Sequence, residues 1–176
     1  MAIGGLMAIP NLEELPAQPY WLNGDVNPVY HGQIGVYAIL DGDRAVVYVG
    51  RSRDLGASLR LCGLRQPERC VWVKALTLAK PDGVYLQAVQ QAWREQTGVG
   101  APEAWEKPLD CRPLMTPAEK TDLAQAATEG ERAAVLKNVA RRVEAEILAR
   151  LAAHRLTFAV RFDPKRKSEG ILDARF

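Results

Sequence analysis

Two tyrosines set the chemistry that this sequence could perform. Tyr37 and Tyr48 each lie inside a short apolar run, Ile34–Leu40 and Ala45–Gly50. The tripeptides that hold them, Gly35-Val36-Tyr37 and Tyr48-Val49-Gly50, are separated by ten residues. Next to them comes the densest basic cluster of the chain: Arg51, Arg53 and Arg60, joined by Arg65, Arg69 and Lys74. Phenols beside a row of cations suit contact with phosphate. The competing reading is purely structural, because tyrosine favours strands and a run of cations often forms a solvated face. Cys62, Cys70 and Cys111 are an odd number without a CxxC spacing. They suggest neither a disulfide framework nor a zinc site, and a reducing cytoplasm is the expected compartment.

The elements that must position these groups follow from the pattern. The two apolar runs flank Asp41-Gly42-Asp43-Arg44, so a β-hairpin with a Gly-centred turn is expected. Period-two geometry sets Val47 and Val49 against Val46, Tyr48 and Gly50, and it leaves the register of the two tyrosines open. After Gly50, Ser52 or Asp54 can cap a helix whose buried stripe is Leu55, Leu59 and Cys62. Cys70–Leu78 alternates as a third strand. Val84–Gln96 reads as a helix with Tyr85, Ala88, Val89, Ala92 and Trp93 on one face, ended by Thr97-Gly98.

Flanking segments differ in character. Residues 10–32 are rich in proline and turn formers, and Tyr20, Trp21 and Tyr30 are expected to fold this arm onto the domain. The stretch before it, Met1–Pro10, reads as a floppy leader rather than a signal peptide. Residues 98–116 read as a loop. Thr116-Pro117-Ala118-Glu119 is a strong helix start, and a longer helix from Glu131 to His154 carries a seam of Leu136, Val139, Val143, Ile147 and Leu151. Leu156, Phe158, Val160 and Phe162 alternate as a last strand, with Gly170–Phe176 able to return beside it.

With 176 residues, 48% hydrophobic and 25% charged, the composition is that of a globular protein. No apolar run is long enough to span a bilayer. A net charge of +2 gives no global argument for nucleic acid, so that case rests on the local cluster.

The tyrosine tripeptides, with Ser52, Asp54 and Leu55 after them, resemble the signature of the GIY-YIG nuclease superfamily. The resemblance implies an α+β domain over residues 33–106, with a central three-stranded antiparallel sheet flanked by helices. Residues 1–32 would form its Pro-rich arm and residues 107–176 a helical extension packed on it. It also implies single-metal hydrolysis of DNA, with magnesium or manganese held by a helix-borne glutamate beside two tyrosines and an arginine. Tyr37, Tyr48, Gly35 and Gly50 match. The arginine position, ten residues after Tyr48, is Ser58. Arg60 lies about 200° further round the helix. The helix that should supply the glutamate presents Gln87, Gln90 and Gln91, neutral amides without the charge to hold a divalent ion.

Gly35 to Trp105 also resembles the GIY-YIG-like amino-terminal domain of plastid monothiol glutaredoxins and their cyanobacterial relatives. Shared are GVYAILDGD, the run ending at Ser58, Pro67-Glu68-Arg69-Cys70, Leu86-Gln87-Ala88 and Thr97-Gly98. No glutaredoxin domain or CGFS-type motif follows. The expected function is a nuclease-like module with a degenerate catalytic site that binds nucleic acid or a protein partner. One alternative is an active DNA endonuclease using Arg60, Tyr37, Tyr48 and an acid still to be identified. The other is a redox-linked role through Cys70.

Overall fold

The computed structural model describes residues 7–100 and 103–176, and the chain divides into two compact units, the first ending at Trp105 and the second starting at Glu106. The strands and helices of the first are β1 Gln18–Pro19, β2 Trp21–Leu22, β3 Asp25–Val26, β4 Ile34–Leu40, β5 Val46–Ser52, α1 Leu55–Arg65, β6 Trp72–Leu78 and α2 Gly83–Thr97. A four-residue helix, α3, runs from Glu103 to Glu106. The central sheet is antiparallel in the order β1-β6-β4-β5. It therefore has four strands rather than three. The extra one comes from the arm, where β1 adds Gln18 opposite Val73 and Pro19 opposite Trp72. Pro19 is tolerated because β1 is an edge strand, whose outer side needs no N–H.

The hairpin of β4 and β5 turns differently from the expectation. The residue with positive φ is Arg44 at 63°, whereas Gly42 is unremarkable. The Asp41 carboxylate organises the turn, accepting from the backbone N–H groups of Asp43 and Ala45. The register pairs Tyr37 with Gly50 and Ile39 with Tyr48, then slips, so that Leu40 opposes Val46. Val47 is the extra residue of this β-bulge. It packs with the Tyr48 face, while Val46 packs with the Val49 face. The strict alternation expected for β5 fails there because a bulge inserts one residue into the period-two pattern.

Both sheet faces are covered. Tyr37, Ile39, Tyr48 and Val73 pack against Leu55, Leu59 and Cys62 of α1, with Tyr20, Val26 and Tyr30 of the arm and Trp105. Val36, Ala38, Leu40 and Val49 pack against Leu86, Val89 and Trp93 of α2 and against Leu12. Burial of side chains of this size contributes roughly 1.5–3 kcal/mol each. The buried stripe of α2 includes Leu86, and Ala88 is exposed. The expected face was misplaced by part of a turn because alanine carries little weight in the pattern. Asp54 and Asp82 cap α1 and α2, and Gly98 ends α2 in the left-handed conformation. The tyrosine arm docks through the Tyr20 hydroxyl, which donates to the Leu59 carbonyl at 2.6 Å.

Of the expected leader, Met1–Leu6 lie outside the described residues. Residues 7–10 have no regular structure, yet they are tied down rather than floppy. The Tyr85 hydroxyl donates to the Ala8 carbonyl, and the Trp93 indole N–H to that of Pro10.

The second unit contains β7 Leu109–Asp110, α4 Pro117–Gln125, α5 Glu129–Ala153, β8 Arg161–Phe162, α6 Pro164–Lys167, β9 Ile171–Leu172 and β10 Ala174–Arg175. Capping boxes start both longer helices, Thr116 with Glu119 and Thr128 with Glu131. Val139, Val143, Ile147 and Leu151 are buried as the seam requires, with Leu136 half-buried. The expected last strand shrinks to Arg161–Phe162, paired with Ala174–Arg175. Leu156 cannot start it, because its N–H bonds back to the Leu151 carbonyl and finishes α5. The expected loop 98–116 holds α3 and also β7, which pairs with β9.

Candidate functional site

Tyr37 and Tyr48 come together on one face of the hairpin, ring centroids 6.0 Å apart. The glycines of both tripeptides are there for close approach. A Cβ on Gly50 would lie 2.5 Å from Cζ and 2.6 Å from the hydroxyl of Tyr37. A Cβ on Gly35 would collide with the Leu76 carbonyl oxygen of β6. Tyr37 is 3% exposed and Tyr48 5%. The Tyr37 hydroxyl meets the Cys62 sulfur at 3.7 Å. Burial, with Cys62 and Tyr48 adding to it, raises the Tyr37 pKa well above that of a free phenol, so it stays neutral at physiological pH.

Trp105 closes this face. Its indole stacks on Tyr48 with centroids 5.3 Å apart and planes 11° apart. Arg69 places its guanidinium over the Trp105 ring at 5.4 Å, and Arg94 lies over the Tyr48 ring at 5.9 Å. Arg65 donates to the Trp105 carbonyl at 2.6 Å. Sequence reasoning did not single out Trp105. The available signal was a lone tryptophan in a loop rich in Gly and Pro, a place where an aromatic ring usually packs.

The basic cluster does not form one rim. Arg60 makes a bidentate pair with Asp25 of β3, at 2.9 and 2.5 Å. Lys74 donates to the Leu12 carbonyl on the α2 side of the sheet. Arg65 and Arg69 hold Trp105. Arg51 and Arg53 remain exposed, Arg51 with one N–H on the Gly83 carbonyl. Ser58, standing where an arginine was sought, donates to Ser52, which in turn accepts from the N–H of Asp54. These three build the start of α1.

Gln87, Gln90 and Gln91 line a cleft with Arg51, Arg94 and Glu95. The buried stripe of their helix packs on the face opposite to the tyrosine rings. Gln90 and Arg94 reach the Val49 carbonyl on the outer edge of β5, an arrangement that covers an exposed strand edge. Among the described residues no three His, Cys, Asp or Glu side chains come together to hold a metal ion. The donors near the tyrosines are a thiol, an indole and guanidiniums. Magnesium and manganese need anionic oxygen, so this set does not fit either ion.

Cys70 is 1% exposed, and burial, reinforced by Cys62, pushes its thiol well above its ordinary pKa. That is the environment of a thiol buried in a core. No helix among the described residues is long and apolar enough to cross a membrane. No protein-family model matches the chain, and no curated protein matches it closely enough to count as a relative.

Proposed function

We propose that the chain is a GIY-YIG-like nucleic-acid-binding module that does not hydrolyse phosphodiester bonds. The observation that carries this reading is the closed tyrosine pair, with Tyr37 against Cys62 and Tyr48 under Trp105. A Tyr37 phenol buried and held neutral beside Cys62, and a Tyr48 ring covered by an indole, are poorly placed to reach a scissile phosphate. The neutral amides of Gln87, Gln90 and Gln91 add to the argument, since they stand where the resemblance calls for a metal-holding glutamate. Arg51 and Arg53 supply exposed cations for the phosphate backbone.

The test combines two assays on the full chain. Supercoiled plasmid with magnesium or manganese should show no more nicking than the Tyr37→Phe protein gives. Fluorescence anisotropy should show salt-dependent binding of labelled DNA. Robust nicking lost in Tyr37→Phe would overturn the reading, as would the absence of DNA binding at low salt.

A further inference from the structure

The cleft on α2 has a volume of about 460 Å³, within the range of small-molecule sites. Gln87, Gln91 and Arg94 recur at helical spacing and form one of its walls, Arg51 of β5 belongs to another, and Gly98 to Gly100 complete it. The stripe is not there for packing, because α2 buries Leu86, Val89 and Trp93 instead. Arg94 is engaged at the Val49 carbonyl, but the hydrogen-bonding capacity of the two glutamines is largely unspent. Gln87 makes no side-chain hydrogen bond among the described residues. Gln91 donates to Glu95 and keeps its carbonyl oxygen, and the bond of Gln90 to Val49 is long at 3.5 Å.

We propose that this cleft binds a nucleotide unit, with the amides of Gln87 and Gln91 reading the edge of the base and Arg51 holding the phosphate. The inference rests on the binding-module reading and names the site through which it acts. A primary amide sets an acceptor beside a donor, the pattern that a base edge presents in reverse. A guanidinium matches two phosphate oxygens at once. A second cleft, of about 900 Å³, shares Arg51 and Gln87 and continues past Leu78 to Val84. That continuation gives room for adjoining nucleotides of a strand.

The probes are a short fluorescein-labelled single-stranded DNA, followed by anisotropy, and adenosine monophosphate, followed by backbone amide shifts. Arg51, Gln87 and Gln91 are all exposed, so Arg51→Ala and the double variant Gln87→Ala/Gln91→Ala keep the fold, checked by circular dichroism. Each variant should weaken DNA binding about tenfold. The amide variant should also narrow the differences among homopolymers, whereas Arg51→Ala should weaken all of them alike and flatten the salt slope. Arg132→Ala on α5 should change nothing. If the native protein binds DNA and both variants bind as well as it does, the cleft assignment falls while the module reading stands. If it binds neither probe, both fall. Shifts on α2 with adenosine monophosphate, without binding of the strand, would keep the nucleotide site and overturn the module.

Discussion

The indole of Trp105 lies flat on the phenol of Tyr48, centroids 5.3 Å apart and planes 11° apart. A guanidinium attends each ring, Arg69 at the indole and Arg94 at the phenol. Four side chains from separate segments thus share one stack, and its members are mutually dependent. Trp105→Ala removes one of the two inner members and leaves a cavity over the tyrosines. The expected loss is about 3–5 kcal/mol of stability, read from denaturant unfolding. Plasmid nicking should stay absent in this variant, because uncovering the phenols supplies no carboxylate. Nicking that appears in Trp105→Ala would mean that the ring had been a plug on a competent nuclease.

Gly50→Ala tests the other side of the same packing. The added methyl would sit 2.5 Å from the Tyr37 ring, and Tyr37 has α1 behind it. Neither strand can yield without breaking the β4–β5 ladder. A loss of about 1–3 kcal/mol is expected, the cost of overpacking a filled site. A stability unchanged within error would show that Tyr37 has room to move.

How far the sequence reveals this arrangement depends on whether the signal is local. The pairing of the hairpin strands, the cap at Asp54 and the Thr116–Glu119 capping box are short-range chemistry, and each falls where the residues indicate. The closed tyrosine site is a matter of long-range contacts. Trp105 meets Tyr48 across 57 positions of chain, and Arg60 meets Asp25 across 35. Nothing in the local pattern of either residue names its partner. The bulge at Val47 is likewise invisible, because Val46 and Val47 are interchangeable in an apolar period. The amides of α2 were legible as residues, but that they line a cleft required the helix to be placed on the sheet.

The thiols give a chemical test of burial. Cys62, Cys70 and Cys111 are all at most 2% exposed. Burial raises the Cys70 pKa well above the ordinary value and the Cys111 pKa to about 11, with Asp110 adding to the latter. Native protein should therefore react with a thiol reagent at pH 8 only slowly, and all three cysteines should react after denaturation. Rapid selective labelling of Cys70 in the native protein would restore the redox alternative.

Glu119 gives a pH dependence in the second unit. Hydrogen bonds from Arg142 and from the Thr116 backbone hold its carboxyl at about 2, against the usual 4.5. A lowered folded-state pKa stabilises the structure fully above 4.5, and that contribution is lost as the pH falls towards 2. Amide exchange in the first turn of α4 should accelerate across this window. Glu119→Gln should exchange faster at neutral pH and lose most of the dependence. An α4 whose exchange shows the same pH profile in both proteins would deny the capping box and the Arg142 pair their role.

Arg60 is the remaining candidate for catalysis, and its contacts favour another duty. Both arms of its fork engage Asp25, the two side chains being about one-quarter exposed at 26% and 28%. Burial acts to raise the Asp25 pKa, but the hydrogen bonds from Arg60 and the Val26 N–H outweigh it and leave the value lowered. The pair therefore pins β3, and with it the arm, to α1. Arg60→Ala should cost about 1–2 kcal/mol, a charge-assisted pair discounted for solvent access. It should also make the segment around Asn23-Gly24 more susceptible to limited proteolysis. Asp25→Asn should reproduce both effects, and the double variant should cost less than the sum of the singles, because the two residues act as a unit. A catalytic arginine would behave differently. Its loss would leave the arm as resistant as before, and removing Asp25 would free it instead of mimicking its absence.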